Sequence, residues 1–504
     1  MATMRRKSSA LLAAAVATLL PAAHAQKLDI KPAVDVQAKA TDNAFASSQA
    51  PRKDLVLTVS PELNVSYWGA HARLNGFVKV DSISFARNSE QNRTLPSGNL
   101  IFQSDLIEQW AGIDASLQTS QTAPNELTPP GGPITDTYTT TNARVAPFIA
   151  HSFSDGYTKL NARLEEALVK SSASNNLAQR PDQRYSSQSA RLERLPVPVG
   201  ASLEWTAQET RESGGASSFK ENATRAGLSY AITSEVYTGL IYGRGSLRTA
   251  LDQQDETIRG VTVFWRPNER ATLDSKVERR FFGTGWRIDW NHRTPQFAWS
   301  VLSERDASTY ASSLGSMRTS QTLRDLLDRM LTTGTPDERD RADLVDKTIA
   351  QRGLTDQLPP LQDPYSLSPT LRQATRGRLV LMGQRNTVSF AGGMNKNDPL
   401  ALGLTTAPGE HTLERYVEAD FNRRLTPLTS LNAGVRWSTQ TQSSPNSNLN
   451  GRVRTITWRG DISTRLSPHA TATFGLKTQN SEGDLPNVNA NDESAMFVGL
   501  GYRY

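Results

Sequence analysis

Met496-Phe497-Val498-Gly499-Leu500-Gly501-Tyr502-Arg503-Tyr504 (MFVGLGYRY) interleaves two sets of side chains. Met496, Val498, Leu500, Tyr502 and Tyr504 fall on one face of an extended strand, and Phe497, Gly499, Gly501 and Arg503 on the other. Successive side chains of a strand point to opposite faces, so one face is apolar and the other mixed. Alone, the stretch suits a soluble sandwich as well as a membrane barrel. The decision comes from how often the pattern recurs.

It recurs in many segments of about ten residues, the length of a tilted membrane-spanning strand. Leu431, Ala433, Val435 and Trp437 alternate with Asn432, Gly434, Arg436 and Ser438. Ile456, Trp458, Gly460 and Ile462 alternate with Thr457, Arg459, Asp461, Ser463 and Arg465. Leu413, Val417, Ala419 and Phe421 oppose Glu414, Glu418 and Asp420; Trp286, Ile288 and Trp290 oppose Arg287 and Asp289. Short turns such as Ser154-Asp155-Gly156 and Ser467-Pro468-His469 follow every second strand. Longer polar loops, Ser89 to Asn99 and Asn480 to Asn491 among them, follow the others. Outer-membrane barrels have this asymmetry, with short periplasmic turns and long external loops. The expected fold is all-β: a large transmembrane antiparallel β-barrel of about 20–22 strands.

The remaining composition agrees with an exported membrane protein. The chain has 504 residues and no Cys, which excludes a disulfide framework and thiolate metal sites. Arg5, Arg6 and Lys7 precede the apolar stretch Ala10 to Leu20, and Ala23-His24-Ala25 reads small-x-small. Residues 1–25 are therefore expected to be a signal peptide, and 26–504 the barrel. Removing three basic and no acidic residues lowers the formal charge from +6 to +3, so nucleic acid is not implied. No segment is long and apolar enough for a helical span. The expected location is the outer membrane of a Gram-negative bacterium.

One region breaks the alternation. Leu323, Leu326, Leu327, Met330 and Leu331 have helical spacing, and Gly334 can end that helix. Thr335 can cap a second helix, with Pro336 first, Asp337 and Glu338 in its opening turn, an apolar stripe of Leu344, Val345 and Ile349, and Gly353 after it. Residues 309–369 thus predict a helical hairpin inserted in one external loop. Its apolar stripes need cover: the barrel mouth, each other above the rim, or a partner.

The chain resembles the outer-membrane β-barrel family associated with the PEP-CTERM/exosortase protein-sorting system, which is linked to exopolysaccharide production. The resemblance is carried by Thr41-Asp42-Asn43 with Asp54 to Pro61 (DLVLTVSP), by Gly260 to Pro267 (GVTVFWRP), and by Arg280, Phe281, Phe282 and Gly283 continuing through Asp289 to His292 and Arg293 (RRFFGTGWRIDWNHR). It implies a location and a genetic setting rather than an activity.

The candidate lumen-lining residues are Arg163, Arg287, Asp289, Glu418, Asp420, Arg436, Arg459, Asp461 and Arg465. A wet barrel interior has to be polar, and such charges serve either as cross-strand ion pairs or as a constriction that selects solutes. Arg predominates, and its planar fork suits carboxylate or phosphate. Trp265, Trp286, Trp290, Trp299, Trp437, Trp458, Tyr502 and Tyr504 fall on outward faces, as interfacial girdles do. Tyr416 and Phe264 are the inward aromatics. His71, His151, His292, His411 and His469 have no metal-binding spacing. Neither metal nor cofactor is expected, and no catalytic residue.

The leading function is a channel or export pore for polysaccharide or a related solute. The alternative is a non-conducting assembly barrel that docks partners. The weakest is a hydrolase built on His292 with Ser300 or Ser303. Expected partners are outer-membrane lipid and the outer-membrane insertion machinery, with Tyr502 and Tyr504 as assembly signal. The resemblance adds exopolysaccharide and export proteins.

Overall fold

In the computed structural model, the described residues are 27–45, 47, 50–122, 137–173, 177, 179–213, 218–249, 253–316, 323–332, 335, 340–342, 344–345, 348–349, 365–366, 369–400, 410–443, 450–484 and 492–504. The expected signal peptide lies outside them. They form one antiparallel sheet of 22 strands, numbered in chain order, in which sequence neighbours pair. β1 (Lys27–Thr41) pairs with β2 (Asp54–Trp68) on one side and β22 (Asp492–Arg503) on the other, so the sheet closes on itself. Closure leaves no strand edge with unpaired backbone groups, the condition for crossing hydrocarbon with strands.

The faces are inverted relative to a soluble protein. Met496, Val498, Leu500 and Tyr502 of β22 are 48%, 54%, 50% and 48% exposed, whereas Phe497 is 6% and Glu493 1% exposed. The outward face of β22 is apolar, and its inward face carries Glu493 and the enclosed Phe497. The protein is an outer-membrane β-barrel.

Strands range from 10 residues in β13 (Ala271–Arg280) to 16 in β7 (Thr158–Ala173). Several run into segments expected as loops. β4 (Arg93–Ile107) takes in most of Ser89–Asn99 and leaves only a short 3-10 turn, Ser89–Gln91. A hairpin standing above the bilayer keeps its backbone groups paired, so the ladder continues past the apolar band. One external connection is unexpectedly short. β13 and β14 (Gly283–Arg293) are joined by Phe281 and Phe282 alone, and Gly283 takes φ +97, a left-handed conformation suited to glycine.

The long insert joins β15 (Phe297–Ser308) to β16 (Thr370–Met382). A short helix, α1 (Tyr310–Ser316), follows β15 directly. It is opened by a reciprocal cap: the Ser312 amide donates to Thr309 Oγ1 at 3.3 Å and the Thr309 amide to Ser312 Oγ at 2.9 Å. The second, α2 (Leu323–Leu331), is the helix expected from the Leu spacing. Of the helix expected after it, Gly334, Pro336, Asp337, Glu338 and Gly353 lie outside the described residues. Val345 is buried and Ile349 packs beside it, while Leu344 is 37% exposed and faces away from that stripe.

Candidate functional site

The described residues of the insert pack against the inner face of the barrel. On β15 and β16, odd-numbered side chains such as Leu381 face outward and even-numbered ones inward. Ala298 and Val380 stand opposite each other on the inner face near the periplasmic turns, both fully buried. Over them pack Leu326, Leu327 and Met330 of α2, with Val345. Two polar contacts fix the end of this helix. Arg293, the last residue of β14, donates to the carbonyl of Arg329 at 3.3 Å and to that of Glu269 at 3.4 Å. A cation at the C-terminal carbonyls also complements the helix dipole. Arg329 in turn donates to the Asn291 side chain, which donates to Asp289. Asp289, Asn291 and Arg293 thus build the floor on which the end of α2 rests.

The other limbs of the insert are held at the outer mouth. Tyr310 and Ala311 of α1 pack on Ala167 and Val169 of β7 and on Tyr185 of β8 (Gln183–Arg194). Arg180 lies between two rings, 3.6 Å from the centroid of Tyr138 and 4.4 Å from that of Tyr365. The Tyr365 hydroxyl donates to the Pro181 carbonyl at 3.1 Å, and Gln183 donates to the Ser366 carbonyl at 3.2 Å. Burial pushes the Tyr365 phenol well above its ordinary range and lowers that of the Arg180 guanidinium. The described parts of the insert therefore touch the wall at two places, β7 and β8 near the mouth and β15 and β16 near the periplasmic end.

Around it the wall carries ion pairs rather than one ring of charge. Arg163 binds Asp114 at 2.7 Å and Glu165 at 3.6 Å. Arg287 meets Glu304 at 3.1 Å, and Arg372 meets the same carboxylate at 2.7 Å. Arg436 and Glu418 join at 3.3 Å; Arg459 and Asp461 join at 3.1 Å. Asp420 accepts from Ser389 at 3.2 Å. Arg465 stands apart, near the periplasmic end of β20 (Gly451–Arg465), opposite Thr471. The inward aromatics each have a ring face covered: Arg436 lies over Tyr416 at 4.9 Å, and Phe264 stacks on Tyr237 at 4.7 Å.

Of the densest cluster, on the wall from β9 (Val199–Glu212) to β15, only Arg280 stands out in the sequence, and that for the resemblance rather than as a lumen charge. Arg280 is enclosed by Glu221, by Glu256 at 2.8 Å and by Asp306 at 3.7 Å. Arg225 bridges Glu204 at 3.2 Å and Glu278 at 3.0 Å, and Lys276 meets the same two carboxylates. Beside them lies a wall cavity of about 290 Å³. Arg280 sits directly under the short hairpin, its guanidinium 5.9 Å and 5.5 Å from the ring centroids of Phe281 and Phe282. The Phe281 amide donates to Glu256 at 2.6 Å. The readable signal was parity: these side chains share the inward register on adjacent strands.

The Thr41-Asp42-Asn43 motif sits at the barrel seam. Thr41 donates to Glu493 at 3.0 Å, Asn43 to the Asp492 carbonyl at 3.1 Å, and the Ser494 amide to Asp42 at 2.8 Å. Lys39 and Lys477 close on Glu493 at 2.8 Å and 3.2 Å. The chain end joins the same seam, the Tyr504 amide donating to the Pro32 carbonyl at 3.0 Å, while the rings of Tyr502 and Tyr504 flank His469.

The structure does not bring His292 together with Ser300 or Ser303. His292 faces outward, opposite Trp299, whereas Ser300 faces inward. Ser303 shares the face of His292 but lies four residues along from Trp299, about 13 Å at the strand rise, and it bonds Trp286 and Thr375. Among the described residues, no group of three or more His, Asp or Glu side chains is placed to hold a metal.

No protein-family model matches the chain, and no curated protein matches it. Solved structures do. The siderophore receptor PirA from Acinetobacter baumannii is 9% identical, with 94% of this chain and 80% of that chain covered and a TM-score of 0.43. The ferric citrate transporter FecA in its unliganded form is 10% identical, over 94% and 79%, with a TM-score of 0.41. A loop-deletion mutant of OmpT, an outer membrane protein of Vibrio cholerae, is 7% identical over 95% and 100%, with a TM-score of 0.33. Likeness at this level is one of fold alone.

Proposed function

We propose that this barrel is a gated transport channel for an exopolysaccharide or a related solute, acting with export proteins of a PEP-CTERM/exosortase system, and that residues 309–369 are its gate. The observation that carries this reading is the position of α2, packed on Ala298 and Val380 at the periplasmic end. Closed by side chains alone, a barrel of 22 strands is too wide; an insert folded into it supplies a movable block. The paired charges of the wall support passage of a bulky polar solute, since few of them stand without a counter-ion to trap it.

Planar-bilayer recording tests the proposal. The wild-type barrel should open rarely, and deletion of residues 309–369 should give large, long-lived conductance. A deletion variant that folds and never conducts would exclude a channel. Co-expression with exosortase-linked export proteins should then give solute flux through the wild-type barrel, and the deletion variant should pass solute without them.

A further inference from the structure

The lipid-facing side of strands β11 to β13 carries an unusual pair of side chains. β11 (Val236–Arg248), β12 (Gln253–Asn268) and β13 place Tyr242, Arg259 and Arg279 in one cross-strand row, Tyr242 opposite Arg259 and Arg259 opposite Arg279. All three are exposed. Their outward direction follows from the alternation: Glu278 and Arg280, on either side of Arg279, are buried against the inner wall. Arg244, one outward position above Tyr242 on β11, is exposed on the same face. Among the described residues, the side chains of Arg244, Arg259 and Arg279 make no ion pair or hydrogen bond.

Like charges directly opposite each other on a sheet repel. Arg on the lipid face is costly at the bilayer midplane and nearly free at the interface. The row is at the interface. Arg279 is the penultimate residue of β13, immediately below the external Phe281–Phe282 turn. Directly beneath the row lie Leu240, Val261 and Val277, exposed to 68%, 44% and 38%. These apolar side chains line a shallow groove of about 760 Å³ whose upper end is Arg259 and Arg279. An anion between the two guanidiniums would turn their repulsion into paired, charge-assisted hydrogen bonds.

We propose that this groove binds a phosphorylated lipid of the outer leaflet, its phosphate held by Arg259 and Arg279 with Arg244 nearby, and its acyl chains along Leu240, Val261 and Val277. Charge complementarity selects the headgroup, and the apolar floor selects a lipid over a free ion. The site is independent of whether the lumen conducts.

The test uses the full-length barrel in phosphatidylcholine nanodiscs, with native mass spectrometry as readout. Diphosphoryl lipid A should be retained by the wild type, and dephosphorylated lipid A about tenfold less or weaker still. Arg259→Gln/Arg279→Gln should lose the same factor, while its heat-modifiable gel migration shows an intact barrel. The wild-type comparison of the two lipids stands even where that variant does not fold. Equal retention of both lipids, full retention by the folded double variant, or binding of inorganic phosphate as tight as that of the lipid would each overturn the proposal.

Discussion

Leu327→Ala should loosen the insert without touching the barrel. Leu327 is 0% exposed, with Ala298, Val380 and Met382 of the wall on one side and Met330 and Val345 of the insert on the other. Replacing a buried Leu by Ala costs about 2–5 kcal/mol. About half of these neighbours belong to the insert itself and travel with α2 when it leaves, so the share charged to docking is about 1.5 kcal/mol. That raises the undocked population about tenfold. Hydrogen exchange should show it as faster amide exchange in residues 323–331, and bilayer recording as a matching rise in open time. Leu344→Ala, at a position 37% exposed, is the control and should change neither. Unchanged exchange in a correctly folded Leu327→Ala barrel would refute the docking argument; faster exchange with unchanged conductance would refute the gate while leaving the docking intact.

Arg280→Gln leaves Glu221 and Glu256 facing each other with side chains 8% and 5% exposed, and should cost about 3–5 kcal/mol in urea unfolding; a loss below about 1 kcal/mol, as for an exposed pair, counts against an enclosed network. The Tyr365 phenol is raised by burial, so its contribution to docking is present below its ordinary pKa of about 10 and lost as pH rises beyond it. Channel opening should therefore increase above about pH 10, and Tyr365→Phe should remove that dependence; an identical pH profile in the variant would contradict it. Deleting Tyr504 removes the terminal aromatic and its bond to Pro32, and should reduce the heat-modifiable barrel recovered from outer membranes, whereas normal recovery would show that the terminal residue is dispensable.

The barrel was legible because its signal is local. Whether Val498 and Leu500 face lipid follows from two-residue alternation and needs no knowledge of distant contacts. The same alternation sets which faces of β1 and β22 point outward, but their register, Val34 opposite Tyr502, is a finding of the structure. The helix Leu323–Leu331 was equally visible from its spacing. Its resting place was not, because a periodicity states that a face must be covered and not by what. Ala298 and Val380, the residues that cover it, are small or ordinary strand residues with no mark of the contact. α1 was missed for a related reason: Tyr310 to Ser316 has poor helix formers, and it is fixed by the Thr309–Ser312 cap and by Tyr185 across the lumen. The charges near Arg280 fall between these cases. Parity is enough to place Glu221, Glu256 and Arg280 on the inner face, but only the strand register from β10 (Ser218–Ala231) to β13 shows that they meet.

Because β15 ends at Ser308 and β16 begins at Thr370, directly opposite in the ladder, the gate proposed above would be a block attached to the wall at two adjacent points. A block of this kind is never diluted. Once displaced it stays at an effective concentration of the order of millimolar above its own seat, so reclosing is a unimolecular event whose rate is indifferent to how much protein the membrane holds. Any opening is then an excursion with a built-in return, and whatever holds the passage open has to act continuously rather than once.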